Sequence, residues 1–183
     1  MEYLILGLLM LAPMTGYELQ QFIKQNLALI CSHSAGSVQT ALAKLEREGR
    51  ISAREANEGK RRKRIFSITE SGRAAFASWV SQPMQADKVK NMELARLFFL
   101  GLADPAERLE AIRGYLRQME EMEATLQAIR ARFDAICQGE VPGGKDWDSI
   151  FRFQGYTIDY GIAAARFERD WYARLLCELE EQA

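Results

Sequence analysis

Apolar positions along this 183-residue chain recur with two periods, and the change from one to the other divides its first half. Val38, Leu42 and Leu45, with Ala41 beside them, fall three and four residues apart on one face of a predicted helix that Gly49 stops. Gln39, Thr40, Lys44 and Arg47 occupy the opposite face. Ile51 to Ala56 then reads as a strand, Asn57-Glu58-Gly59 as a turn, and Lys60 to Arg64 as an unbroken run of five cations before Ile65 to Ile68 returns as a second strand. Upstream, the apolar stretch Tyr3 to Leu11 ends at Ala12-Pro13. Thr15 is placed to cap a further helix through Tyr17, Leu19, Phe22 and Ile23 to about Leu29.

The order helix, helix, helix, two-stranded wing is that of a winged helix-turn-helix, with a local core of Leu8, Leu19, Phe22, Leu42, Leu45 and Phe66. A fourth helix follows Thr69 and ends at Trp79-Val80. Pro83 and mixed polar residues then make 81–91 a connector.

Beyond the connector the pattern is helical throughout. Met92 to Leu102 forms one short element, and Asp104-Pro105-Ala106-Glu107 predicts an acidic cap and first turn for a long one. Its stripe is Leu109, Ile112, Leu116, Met119, Met122, Leu126, Ile129, Phe133 and Ile136. After a turn at 139–144, a final helix from about Trp147 carries Ile150, Phe153, Thr157, Tyr160, Ala164, Phe167, Trp171, Leu175 and Leu179 along one side. Two such stripes and one short helix do not close a four-helix bundle, so a second copy is the natural cover. Tyr160, Ala164, Phe167, Trp171 and Leu175 are the expected dimer contacts, packed against the partner and against the chain's own long helix. The expected fold class is mainly α: a winged helix-turn-helix in 1–80 and an antiparallel helical dimerisation and effector domain in 92–183.

A net charge of −1 conceals segregation. Residues 1–80 hold 11 Lys and Arg against 7 Asp and Glu, and residues 81–183 hold 13 against 18. The first half therefore carries a field suited to phosphates. A helix fits the roughly 12 Å major groove, and cations on an adjacent ribbon neutralise backbone charge. Ser34, Ser37, Gln39, Thr40 and Lys44 are assigned to the groove, and Lys60, Arg61, Arg62, Lys63 and Arg64 to the wing's phosphate contacts.

These residues also carry a family resemblance. The chain resembles PadR-like transcriptional regulators in I-L-G-L-L-M-L-A-P-M-T-G-Y-E-L (Ile5 to Leu19), S-A-G-S-V-Q-T-A-L-A-K-L-E-R-E-G-R-I (Ser34 to Ile51) and R-R-K-R-I-F-S-I-T-E-S-G-R (Arg61 to Arg73). Its second half resembles the C-terminal helical domain of the longer, virulence-activator type, in E-L-A-R-L-F-F-L-G-L (Glu93 to Leu102) and D-Y-G-I-A-A-A-R-F-E-R-D-W (Asp159 to Trp171). The resemblance implies a repressor released by phenolic or other aromatic and hydrophobic compounds. It departs from the family at Gln39-Thr40, where Tyr-Pro is usual, and at Lys44, where Arg is frequent. Glutamine makes bidentate contacts to adenine where tyrosine would serve a phosphate, so the departure bears on which operator is read.

Other classes find little support. Cys31, Cys137 and Cys177 are odd in number and lack a C-x-x-C pair, which fits a reducing cytoplasm and neither a disulfide framework nor a zinc site. No leader pattern is present, and Tyr3 to Ala12 is far below the ~18–20 apolar residues that cross a bilayer, so no membrane partner is expected. The single histidine, His33, follows Cys31 at i+2, where helical neighbours point apart, and no cofactor or catalytic residue is assigned. Glu120, Glu121, Glu123, Glu180 and Glu181 read as solvated helix faces. Tyr156 and Tyr160, one turn apart, are the polar handles expected of an effector pocket. The resulting expectation is a dimeric, sequence-specific DNA-binding regulator with a roughly palindromic operator. The alternative is a coiled-coil interaction module with weak, sequence-indifferent DNA binding.

Overall fold

The computed structural model describes residues 1–27, 35–58, 61–84 and 92–181, with the side chains of 35, 57, 58, 61, 62 and 92 excepted. It divides into two compact units, Met1–Asp87 and Lys88–Ala183. The first contains helices α1 (Glu2–Leu11), α2 (Gly16–Asn26), α3 (Ala35–Arg47) and α4 (Glu70–Val80), with strands β1 (Met14–Thr15), β2 (Ile51–Glu58) and β3 (Arg61–Ile68). The second contains α5 (Met92–Phe99), a 3-10 turn (Leu100–Leu102), α6 (Pro105–Cys137) and α7 (Trp147–Glu181).

The core of the first unit forms where four apolar faces converge. Ile5, Leu6, Leu8 and Leu9 of α1 meet Leu19 and Ile23 of α2, Val38, Ala41, Leu42 and Leu45 of α3, and Ile51, Phe66 and Ile68 of the sheet. Phe22, expected in the core, is partly buried at its edge. Thr15 caps α2 in a capping box: its side chain accepts from the Glu18 amide at 3.2 Å, and Glu18 accepts from the Thr15 amide at 2.7 Å. The Thr15 amide first, and the Thr15 side chain after it, hold the Glu18 carboxyl below its ordinary pKa.

Helix α3 ends in a Schellman motif. The Arg50 amide donates to the Leu45 carbonyl at 2.9 Å and the Gly49 amide to that of Glu46 at 3.0 Å, with Gly49 at φ +68. The carbonyls left at this turn then hold α4. Thr69 Oγ1 and Ser71 Oγ both donate to the Gly49 carbonyl, at 2.7 and 2.9 Å, and the Thr69 amide donates to that of Arg50 at 3.1 Å. Thr69 in turn caps α4 through the Gly72 amide. The end of α3, the start of β2 and the start of α4 are thus one hydrogen-bonded knot.

Two sheet features differ from the sequence expectation. The sheet has three strands in the order β1-β3-β2, because Met14 and Thr15 pair with Phe66 and Ile65. The wing strands also run further: β2 continues through Asn57 and Glu58, and β3 begins at Arg61, so most of the predicted turn and cation run is strand. In this register Glu55 faces Arg64 across the ladder, and opposite charges directly across a pair stabilise it.

In the second unit α6 and α7 form an antiparallel hairpin cross-linked along its length. Arg113 pairs with Glu180 at 2.5 Å, Tyr115 donates to Glu168, and Arg130 pairs with Asp159 at 2.6 Å. Glu123, expected on a solvated face, is 5 % exposed and held by Arg166 and Arg169 of α7, whereas Met122 and Ile136 of the predicted stripe face solvent. A straight helix drifts about 20° per heptad against a 3.5-residue repeat, which turns position 123 toward α7. The α7 stripe is also corrected in one respect. Gly155, Gly161, Ala165 and Tyr172 are buried, while Phe153, Thr157, Tyr160 and Phe167 are exposed and do not face the chain's own long helix. Small residues allow the closer approach, so they take the intrachain side. Asp104 precedes α6 as expected but makes no side-chain cap; Arg108 closes this turn instead, donating to the Ala103 and Gly101 carbonyls at 2.7 and 2.8 Å.

A Cβ at Gly72 would lie 2.1 Å from the Arg50 carbonyl oxygen, with Ile68 on its other side. Gly72→Ala is therefore expected to destabilise the first unit by roughly 1–3 kcal/mol, since overpacking here must break the knot. Chemical denaturation followed by circular dichroism checks this. Unchanged stability would show that the α3–α4 junction is looser than its hydrogen bonds require.

Candidate nucleic-acid interface

Helix α3 has one face in the core and the other in solvent. Gln39, Thr40 and Arg47 are exposed, and Ser37 is half-buried. The N-terminal turn of α2 comes close to this surface: a Cβ at Gly16 would lie 3.3 Å from Gln39 Nε2 and 3.5 Å from Leu42 Cδ1. The adjoining residue, Tyr17, has an exposed ring on the same turn and was not among the residues singled out from the sequence. Ser34 and Lys60 lie outside the described residues, as do Cys31 and His33; Arg61 and Arg62 are placed by backbone only.

The cations divide by partner. Lys44 does not extend from α3 in isolation: its Nζ lies 2.8 Å from Glu2 of α1 and 3.9 Å from Glu48, and the Glu2 contact raises its pKa. Arg64 pairs with Glu46 of α3 at 2.6 Å, and its guanidinium carbon sits 5.3 Å from the centre of the Phe66 ring. Strand alternation explains why: Arg64 shares a face with Phe66 and Ile68, both buried, and so points toward α3. Lys63, one position earlier, is exposed on the other face, and its charge contributes to lowering the Glu18 pKa. The wing is thereby anchored on α3 by one cation and presents the next one outward.

In the second unit, the residues assigned to a dimer form an exposed row on α7, with Tyr160 74 % and Phe167 66 % accessible. Trp171 is at the edge of this row, and Ala164 and Leu175 are half-buried. Tyr156 and Tyr160 both face solvent rather than an enclosed space. A cleft of ≈ 270 Å³ lies elsewhere, between α5, α6 and α7, and includes Glu93, Leu97, Tyr115 and Tyr172. Among the described residues no group of acids, cysteines and histidines has the arrangement of a metal site, and no helix is long and apolar enough to cross a membrane.

Comparison with known proteins places both units. Residues 5–78 match the transcriptional regulator PadR-like family, and residues 89–180 match the virulence activator alpha C-terminal domain. The negative transcriptional regulator PadR of Bacillus subtilis is 26 % identical over 145 residues, 78 % of each chain. Bacillus subtilis PadR in complex with operator DNA superposes with a TM-score of 0.80 at 19 % identity, over 97 % of this chain and 96 % of that one. In complex with p-coumaric acid the same protein gives 0.73 at 18 %, over 98 % of both. The Vibrio cholerae virulence activator AphA gives 0.75 at 19 %, over 100 % and 99 %. At these identities the structural likeness is one of fold, and it spans both units. The chain belongs to the PadR-like family of transcriptional regulators, in the long form that ends in a virulence activator alpha C-terminal domain.

Proposed function

We propose that the protein is a homodimeric repressor that reads a roughly palindromic operator in the cytoplasm and is released by a small effector of aromatic or hydrophobic type. The observation that carries the reading is the solvent-facing Gln39–Thr40 surface of α3 beside a wing braced on the same helix by Arg64 and Glu46. A braced wing delivers its outward cations at a fixed distance from the reading helix, which is what simultaneous groove and phosphate contacts need. Residues 1–80 form the DNA-binding domain in this reading, 81–91 the connector, and 92–183 the dimerisation and effector domain. Gln39 and Thr40 face base edges, with Ser34 and Ser37 at the start of the helix. Lys60, Arg61, Arg62 and Lys63 neutralise phosphates, and the Tyr17 hydroxyl is a further phosphate donor.

Arg64 and Lys44 take a second role, as struts that hold the wing and α1 against α3. Bacillus subtilis PadR, a negative regulator with structures in operator-bound and p-coumaric-acid-bound states, supports the repressor and effector parts of the reading. The dimer follows from the aromatic row of α7, since exposed apolar surface on this scale calls for a partner. Two-fold symmetry would then set two α3 helices on successive half-sites.

Two outcomes are expected. Lys63→Ala should lower the slope of log affinity against log salt by about 1 for each phosphate no longer neutralised, for specific and random DNA alike. Arg64→Ala should leave that slope nearly unchanged and weaken operator binding through a loosened wing. Fluorescence anisotropy across a salt series distinguishes them, and equal slope changes would return Arg64 to the DNA backbone. For the dimer, Tyr160→Glu combined with Phe167→Glu should give a folded monomer by light scattering and circular dichroism, with operator affinity reduced ~10²–10⁴-fold once the second half-site is no longer tethered. A discrete dimer with undiminished affinity would remove α7 as the dimerisation element.

A further inference from the structure

The cleft of ≈ 270 Å³ between α5, α6 and α7 has a composition that discriminates among ligands. Its size is just under the ~300–1,000 Å³ of drug-sized sites, suited to a body of about one aromatic ring. Leu97 and Leu100 come from the α5 side and Ile112 from α6, giving apolar walls. Tyr115 and Tyr172 lie in the lining with ring centroids 4.5 Å apart and planes tilted by 55°, so together they form an aromatic corner. Tyr172 is 7 % exposed.

The lining of the cleft holds two carboxylates and one cation. Glu93 and Glu110 are in the lining, and Glu168 accepts a hydrogen bond from the Tyr115 hydroxyl directly behind it. Arg96 is the cation of the lining and already pairs with Glu93 at 3.2 Å, while Glu110 meets Arg113 and Arg117 at 3.9 and 3.1 Å on the exposed side of α6. Burial, with Glu168 and Glu93 nearby, raises the pKa of both phenols, which are neutral at physiological pH in any case. The quadrupole of such rings attracts a cation over their faces, and desolvation strengthens the attraction. An organic anion placed here would meet two lining carboxylates against the one lining cation, Arg96.

We propose that this cleft binds a small organic cation with an aromatic or branched-alkyl body, its charge at the Tyr115–Tyr172 corner near Glu93 and its body against Leu97, Leu100 and Ile112. The site lies apart from Tyr156 and Tyr160, and its chemistry is opposite in charge to p-coumaric acid, the ligand bound to Bacillus subtilis PadR. As a control point it rests on the effector-released reading above; as a binding site it does not.

The test is calorimetric titration of the full chain, without DNA, using benzyltrimethylammonium and, separately, 4-hydroxycinnamate. The cation is expected to bind and the acid to bind at least about tenfold more weakly. Glu93→Gln should weaken the cation about tenfold and improve the acid, because it removes a carboxylate and releases Arg96 from its partner. Ala111→Phe, at an exposed lining position, should fill the cleft and abolish cation binding with thermal stability retained. Absent cation binding, tighter binding of the acid, or an affinity unchanged in both variants would overturn the site. Operator titration with saturating cation then separates the two readings: loss of operator affinity makes the cation an effector, while an unchanged affinity leaves the site standing and removes it from control of DNA binding.

Discussion

The carbonyls of Gly49 and Arg50 are the point on which the first unit of this protein depends. At the end of any helix the last carbonyls lack intrahelical partners. Here those just past α3 are taken up by Thr69, Ser71 and the Thr69 amide, so the device that finishes α3 also starts α4 and sets where β2 leaves. Gly49 supplies the left-handed residue, and Gly72 supplies the space for the Arg50 carbonyl. The wing inherits its position from this knot at one end and from the Arg64–Glu46 pair at the other. A β-hairpin held only at its base would sweep a wide arc relative to the helix it accompanies. The Arg64–Glu46 pair gives this hairpin a second point of attachment to α3.

Different chemistry holds the second unit together. The α6–α7 contact combines a few small residues with a series of ionic cross-links, of which Glu123 between Arg166 and Arg169 is the most enclosed. A buried carboxylate is strongly destabilising when left unpaired, so this cluster favours one register of the two helices over its neighbours. Committing Gly155, Gly161 and Ala165 to the intrachain side leaves Phe153, Tyr160 and Phe167 of α7 outside, while Tyr172 stays inside. That division is what makes a second chain the proposed cover for one face of α7, while the cleft between α5, α6 and α7 remains a separate feature of a single chain.

Much of this was legible in the sequence where a local rule acts alone. Thr15 before Gly16-Tyr17-Glu18 announces a helix start, Gly49 after an amphipathic run announces a stop, and Thr69 announces the next helix; each holds because the hydrogen bonds involved span only a few residues. What failed to show depends on distant partners. β1 has two residues and no pattern of its own, and exists because β3 offers it an edge. Arg64 and Lys63 look equivalent in a run of five cations until strand alternation and the position of Glu46 separate them. Glu123 reads as one more acid on a charged helix until two arginines on α7 reach it. On α7 two adjacent apolar faces are both periodic, and the one that turns inward carries the small residues Gly155, Gly161 and Ala165 together with Tyr172. For Lys60, Arg61 and Arg62 the proposed phosphate contacts rest on the sequence.

Reading helix, braced wing and a two-fold partner together make one claim about what this chain recognises. Selection of bound fragments from a random pool of double-stranded DNA tests it most directly, because symmetry and specificity are scored in one experiment. The account predicts a consensus of two inverted half-sites with centres one helical turn or a multiple of it apart, about 10–10.5 base pairs per turn. A pool that emerges without a consensus, or with a single asymmetric half-site, would contradict it.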